Sequence, residues 1–270
     1  MTTFSWRRAG SVVLRQAYLI RGSLARVLPL FAWVATDMIL WGFLTRYLNG
    51  VTRSAMDFVP TLLGAVLLWD FFARVMQGVT TAFLEDVWSR NFLNLFASPL
   101  SIPEYVAGLV ASSIMTSAIG LVVMIALASG IFGLSFFSYG LLLFPFLLNL
   151  FVFGIAMGVV ASAIVLWFGP ASEWFVWPIP AVIAPFAGVF YPVSTLPRWM
   201  QAVAFVLPPA SVFDSMRRII AGDAVSIVAL VWSSGLALIY LLLGTWVFAR
   251  VHRHAVRVGL IARYSAETVS

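Results

Sequence analysis

Few residues in this chain could do chemistry, and most of those few stand in pairs. Asp37 interrupts an otherwise apolar run. Asp70 and Arg74 stand four apart in a second run. Glu85, Asp86 and Arg90 cluster in TTAFLEDVWSRNFLNLFASPLSIPEYVAGL, with Glu104 three residues after Ser101. Glu173 follows Pro170, and His252 and His254 are the two histidines. A His-x-His pair can ligate a metal, but this one lies in an Arg-rich tail, where contact with lipid headgroups is the expectation and no metal site is. No Ser/His/Asp or Glu/His constellation converges. Cysteine is absent, which excludes thiolate metal sites and disulfides. The chain therefore reads as something other than an enzyme. An acid midway along an apolar segment costs a few kcal/mol unless it faces protein or water. Asp37 and Asp70, with Trp41 one turn beyond Asp37, are thus candidates for a translocation pathway or a dimer interface. Asp70 and Arg74 are expected to pair.

The elements that must position these groups are membrane spans. Hydrophobic residues make up 62% of the 270, charged residues only 10%, and the mean hydropathy is +1.02. A soluble domain carries about 25% charged residues. All sixteen basic residues are Arg, and they flank apolar segments, which points to anionic lipid rather than nucleic acid. A spanning helix needs about 20 apolar residues. Six segments qualify: 27–48, 58–76, 105–130, 139–168, 175–190 and 224–249. The fifth is short and holds Pro178, Pro180 and Pro185, so it should be kinked or broken. The fold class is all-α integral membrane, organised as an interfacial helix over 1–26, a transmembrane domain over 27–250 and a basic tail over 251–270.

With both termini inside, eleven Arg (7, 8, 15, 21, 26, 74, 90, 250, 253, 257 and 263) face the cytoplasm and five (46, 53, 198, 217 and 218) lie outside. That satisfies the positive-inside rule for a multi-pass protein of a bacterial plasma membrane. The spread of Arg over the first 26 residues does not read as a cleaved leader. On a helix, Trp6, Val13, Ala17, Ile20 and Leu24 share one face and Arg8, Arg15 and Arg26 lie opposite. This is the pattern of a helix in the membrane interface with Arg on phosphate, although Val12 and Leu19 fall near the basic side.

Two connections carry further pattern. In the inner one, Phe83, Leu84, Val87 and Trp88 recur at helical spacing, and Asp86 and Arg90 stand at i,i+4. Pro99 ends that helix, and Ser101 with Glu104 forms an S-x-x-E capping box that starts the third span. The expectation is a short amphipathic helix whose mixed surface suits docking to another protein. The outer connection, FAGVFYPVSTLPRWMQAVAFVLPPASVFDSMRRIIAG, is too polar to span and too apolar for an ordinary loop. Leu196-Pro197 should open a short helix, Pro208-Pro209 should stop it, and a second should run from Ser211 to Ile220 with Asp214 and Arg218 paired. Such a re-entrant hairpin implies a pathway or gate.

These stretches resemble the ABC-2 type permeases, the membrane subunits of ABC exporters, and look nearest to the drug and nodulation-factor branches. SPLSIPE with Gly108 resembles the family's element before its third span. FYPVSTLPRWMQAVAFVLPPASVFDSMR resembles its outer stretch. The resemblance implies a permease dimer, with an identical chain as the expected partner, and two cytosolic ABC ATPase subunits that bind ATP and Mg. This chain itself has no G-x-x-x-x-G-K-[ST] loop and binds no cofactor. It implies a coupling helix at Leu84 to Leu95, with Leu84, Glu85, Asp86, Val87, Trp88, Arg90, Leu95, Pro99, Ser101 and Glu104 as the ATPase-coupling residues. It implies an outer gate at Tyr191, Pro192, Leu196, Pro197, Trp199, Pro208 and Pro209. An amphipathic or lipid-like substrate or drug fits the scarcity of charge. Two other readings stay open at this stage: a membrane-embedded lipid-modifying enzyme, which would need clustered His, Asp or Lys, and a gradient-driven transporter, for which no inverted repeat is visible.

Overall fold

The computed structural model describes residues 4–22, 24–52, 59–89, 98–135, 140–141, 143–224 and 226–259. Every regular element among them is helical. In chain order these are α1 (Trp6–Arg21), α2 (Leu24–Thr52), α3 (Gly64–Trp88, entered through a π-helical turn at Val59–Leu63), α4 (Ile102–Phe132), α5 (Leu143–Phe168), α6 (Ile179–Ala187), α7 (Arg198–Phe205), α8 (Pro208–Ala221) and α9 (Ile227–Val258). Four of the described helices are long and apolar enough to cross a membrane: α3 with its entry turn, α4, α5 and α9. At 1.5 Å per residue the 29 residues of α2 reach about 43 Å.

Burial separates the helices into two kinds. In the most apolar stretches of α3 and α5, 61% and 67% of residues are buried inside the chain, against 22% in α4 and 17% in α9. The first two are therefore central, and the other two turn most of their apolar surface outward, as lipid permits. Small residues let the central pair approach. A β-carbon at Gly158 would stand 2.7 Å from the Met76 carbonyl oxygen, and one at Gly154 would stand 2.9 Å from Val75. The G-x-x-x-G pattern is thus used within the chain, between α3 and α5. Phe72 and Phe153 stack at 5.3 Å in the same seam. Polar links cross the bundle where no water could serve: Ser113 donates to the Val75 carbonyl at 2.8 Å, and the Asn149 amide to Ser233 Oγ at 3.0 Å.

Several expected boundaries move. The second span does not stop at residue 76; its helix runs on to Trp88, because the apolar periodicity of 79–87 packs into the same core. There is accordingly no separate helix beginning at Leu84, and residues 90–97, with Arg90 and Leu95, lie outside the described set. The fifth span is not one helix. A 3-10 turn at Pro170–Phe175 precedes α6, whose nine residues reach only about 14 Å. Its prolines and the left-handed Gly188 (φ 61°) break the ladder as anticipated. The helix opened after Pro197 ends at Phe205, short of Pro208 and Pro209 as expected, and these prolines have a second role. They are the first two residues of α8, where a missing N–H costs nothing. Finally α9 carries on through His252 and His254 to Val258 rather than yielding to a tail at residue 251.

Candidate functional site

The charged residues converge where α1 lies across the end of α3 and the start of α4. Glu104 is the third residue of α4. Its carboxylate closes the capping box by accepting from the Ser101 N–H at 2.8 Å. It also accepts from the Ser5 N–H at 2.6 Å and from Arg8, through Nε at 2.9 Å and Nη2 at 2.6 Å. Its side chain has no exposed surface. These bonds raise the Arg8 pKa above its already high ordinary value, so the pair is a fixed ion pair. Two turns of α1 further on, Arg15 Nη2 pairs with Asp86, near the end of α3. The other Asp86 oxygen accepts from the Tyr105 hydroxyl at 2.7 Å. Asp86 and Tyr105 are both fully buried. Gln16 adds a bond from Nε2 to the Ala82 carbonyl at 2.9 Å.

Close packing accompanies the charges. Ala9, Val12 and Gln16 are buried, and a β-carbon at Gly108 would stand 2.6 Å from Val12 Cβ and 3.1 Å from the Ala9 carbonyl. Gly108 is one turn beyond Glu104, so the two residues form a single seat for α1. This corrects the reading of the leader. Arg8 and Arg15 face the protein, and Trp6, Leu14 and Tyr18 are exposed. The misplaced Val12 was the signal: a small apolar residue between Arg8 and Arg15 marks a face that packs. Gly108→Val is expected to lift α1 from its seat, read as faster proteolysis within residues 5–22 while the α3–α5 core keeps its melting temperature.

Asp86 pairs with Arg15 and accepts from Tyr105; the expected Asp86–Arg90 pair lies outside the described residues. Buried Asp86, Leu84 and Val87 belong to the core, not to an outer face. Tyr105→Phe should cost about 1.5–3 kcal/mol, the worth of a hydrogen bond to a charged group, measured by chemical denaturation in detergent. Among the other expected coupling residues, Glu85 is half-buried and lines a cavity between α1, α3 and α4. Trp88 is exposed and donates from Nε1 to Glu173 at 3.0 Å. That bond ties the 3-10 turn of residues 170–175, with exposed Trp174 and Phe175, to the same end of the bundle. Pro99 lies in an exposed turn just ahead of Ser101.

The other end of α3 holds the hairpin. Tyr191 donates to the Pro185 carbonyl at 2.9 Å, and Arg217 Nη1 to the Gly188 carbonyl at 2.8 Å, so both grip the end of α6. Pro192 leads into a 3-10 turn, the Leu196 carbonyl accepts from Gln201, and Pro197 caps α7. Trp199 is exposed beside Phe186, whereas Pro208 and Pro209 are buried. Asp214 and Arg218 pair at 3.0 Å as expected. Trp41 on α2 stacks on Phe190 at 5.0 Å, which joins α2 to this end. Asp37, one turn away on α2, lies within electrostatic range of Asp70 and Arg74 on α3. His252 is buried beside Phe248 and His254 stacks on Trp167; no metal-binding cluster occurs among the described residues.

A helical bundle with one amphipathic helix seated on it by paired charges, a broken fifth segment and a two-helix hairpin at the far end is now in view. The family model of the ABC-2 type transporter matches residues 15–221. The chain belongs to the ABC-2 type transporter family. It is the membrane permease subunit of an ABC transporter, a multi-pass protein that associates with an ABC ATPase subunit. The match to this ABC-2 permease takes in Arg15, Asp86, Glu104, Gly108 and the whole hairpin, and ends before α9. No curated protein matches the chain.

Proposed function

We propose that this permease works as a homodimer with two cytosolic ABC ATPase subunits and exports an amphipathic or lipid-like substrate or drug across a bacterial plasma membrane, both termini cytoplasmic. One observation carries the coupling part of this reading. The connection between α3 and α4 is anchored at both ends, by Asp86 and by Glu104, to one helix, α1. A push on that connection is therefore delivered to α3, α4 and α1 together. ATP and Mg bind on the partner subunits; this chain supplies the lever. Glu85 and Trp88 flank the connection, with Glu173 held against Trp88 as a second contact. Arg90, Leu95 and Pro99 complete the surface an ATPase would meet. At the far end the hairpin, with Tyr191, Pro192, Leu196, Pro197, Trp199, Pro208 and Pro209, serves as the outer gate. Asp37, Trp41 and Asp70 line the pathway between.

The test is purification of the tagged chain from native membranes, with the co-purifying proteins identified and ATP hydrolysis assayed. A stoichiometric subunit with a phosphate-binding loop is expected, together with hydrolysis that drops when Arg8 and Glu104 are both changed to Ala. A chain that purifies alone and without ATPase activity would overturn the reading. Exchanging the charges, Arg8→Glu with Glu104→Arg, should recover more coupled activity than either single change, since it restores the pair while losing the capping box.

A further inference from the structure

Arg217 is a cation that the fold holds but satisfies only in part. It lies near the end of α8, in the hairpin. Its Nη1 donates to the Gly188 carbonyl at 2.8 Å. That carbonyl belongs to a tight turn. Gly188 is left-handed (φ 61°), and a β-carbon there would meet the Tyr191 carbonyl oxygen at 3.0 Å and Val193 Cγ2 at 2.9 Å. Arg217 Nε and Nη2 are buried and find no acceptor among the described residues. In a planar guanidinium these two N–H groups share one edge, the edge that faces away from Nη1. That edge matches two oxygens of one carboxylate or phosphate. Leaving a buried N–H of a charged group unpaired is costly.

The neighbouring carboxyl does not supply those oxygens. Asp214 acts electrostatically on Arg217, but it is 45% exposed and accepts its hydrogen bond from Arg218 Nε at 3.0 Å. One carboxylate thus stands against two guanidiniums, and it is bonded to the other one. Arg217 as a whole is only half-buried, so its edge lies close to the surface. The same hairpin leaves aromatic surface uncovered at Phe190, Trp199 and Phe205, and Phe190 follows the Gly188 anchor by two residues.

We infer that the Nε–Nη2 edge of Arg217 binds the acidic head, carboxylate or phosphate, of an amphipathic molecule whose apolar part lies on the aromatic residues of the hairpin. A bilayer lipid and a free amphipath carry the same recognised group. The inference goes beyond the transporter reading and depends on it only for placing the hairpin at the outer face. Through Arg217 an occupant is joined to the Gly188 turn, so binding and the position of the gate are linked.

The experiment uses the full chain in phosphatidylcholine nanodiscs at mildly alkaline pH, without ATPase, so its failure leaves the co-purification result standing. The probes are dansylaminoundecanoic acid, a fluorescent carboxylate, and its neutral methyl ester, with empty nanodiscs as the blank. The acid should bind roughly tenfold or more tightly than the ester, the worth of a hydrogen bond to a charged group. Arg217→Gln keeps a donor for the Gly188 carbonyl and removes the charged edge. It should cut the preference to under about threefold with unaltered elution on size exclusion. Arg217→Lys keeps the charge without the planar edge and should lower the preference by about threefold or more. Arg198→Gln, at an exposed Arg of the same hairpin, should leave it intact. Discs that also contain phosphatidylglycerol distinguish the sources, and either result there supports the site. A weakened preference for the acid makes a bilayer lipid the competing occupant, and an unchanged one reserves the edge for free amphipaths. Equal affinity for acid and ester in phosphatidylcholine would overturn the inference. So would a preference unmoved in either Arg217 variant that elutes as the wild type. A loss as large in Arg198→Gln would also overturn it, and would trace the preference to the overall positive charge of the hairpin.

Discussion

Asp86→Ala should destabilise the folded chain by about 3–5 kcal/mol, the usual cost of removing one partner from a buried ion pair. Asp86 has no exposed side-chain surface and serves two donors at once, Arg15 and Tyr105. Its loss strands a guanidinium and a buried phenol beside the apolar residues of α3. The comparison that isolates the cause replaces the whole group: Arg15→Met, Asp86→Leu and Tyr105→Phe together. Removing all partners at similar volume is often close to neutral, so the triple variant should recover most of the lost stability. Denaturation of the purified chain in mixed micelles measures both. If the triple variant is as unstable as Asp86→Ala, the pair is not what holds α1 and α3 together at this point. If Asp86→Ala is as stable as the wild type but loses coupling to ATP hydrolysis, the residue acts at the ATPase contact rather than in the fold.

The second large effect is steric. Gly158→Ala should cost about 1–3 kcal/mol, the range for overpacking, and Gly158→Leu should prevent α3 and α5 from closing at all. A β-carbon there meets the Met76 carbonyl oxygen and Val79 Cβ, both at 2.7 Å, and backbone cannot step aside as the tip of a side chain can. Gly235 provides the control. It lies on the outward face of α9 with nothing within 4 Å of an added β-carbon, so Gly235→Ala should be neutral or stabilising by up to about 1 kcal/mol. Thermal melting of the three variants in one detergent decides the matter. A Gly158→Leu chain that melts with the wild type but no longer dimerises would move this glycine from the core to a subunit interface.

Gly158 also shows why a motif can be visible and its use hidden. G-x-x-x-G announces a close helix approach but not the partner, because any helix with a matching groove will serve. Here the partner is α3 of the same chain. The basic leader repeats the lesson. Helical periodicity correctly separates Trp6 from Arg8 and Arg15, since a 100° step fixes which residues share a face. It does not say which face meets protein. With water or lipid as the only alternative, Arg belongs outward; with Glu104 and Asp86 waiting, it belongs inward. Those acids lie 96 and 71 positions away along the chain from their Arg partners, beyond any local pattern.

By itself the sequence determined that the protein is helical and embedded in a membrane, that α4 starts at a Ser101–Glu104 box, that the proline-rich fifth segment is broken, and that Asp214 meets Arg218. All of these are local. They depend on the length of apolar runs, on backbone groups satisfied within one turn, or on side chains four residues apart. The tertiary structure alone decided that α3 continues to Trp88, that Asp86 answers Arg15, that Gly108 makes room for α1, and that Asp37 and Asp70 both come near Arg74. Each of these depends on which surfaces of distant helices come together. An apolar surface or a buried charge accepts whichever complement the packed bundle brings within reach.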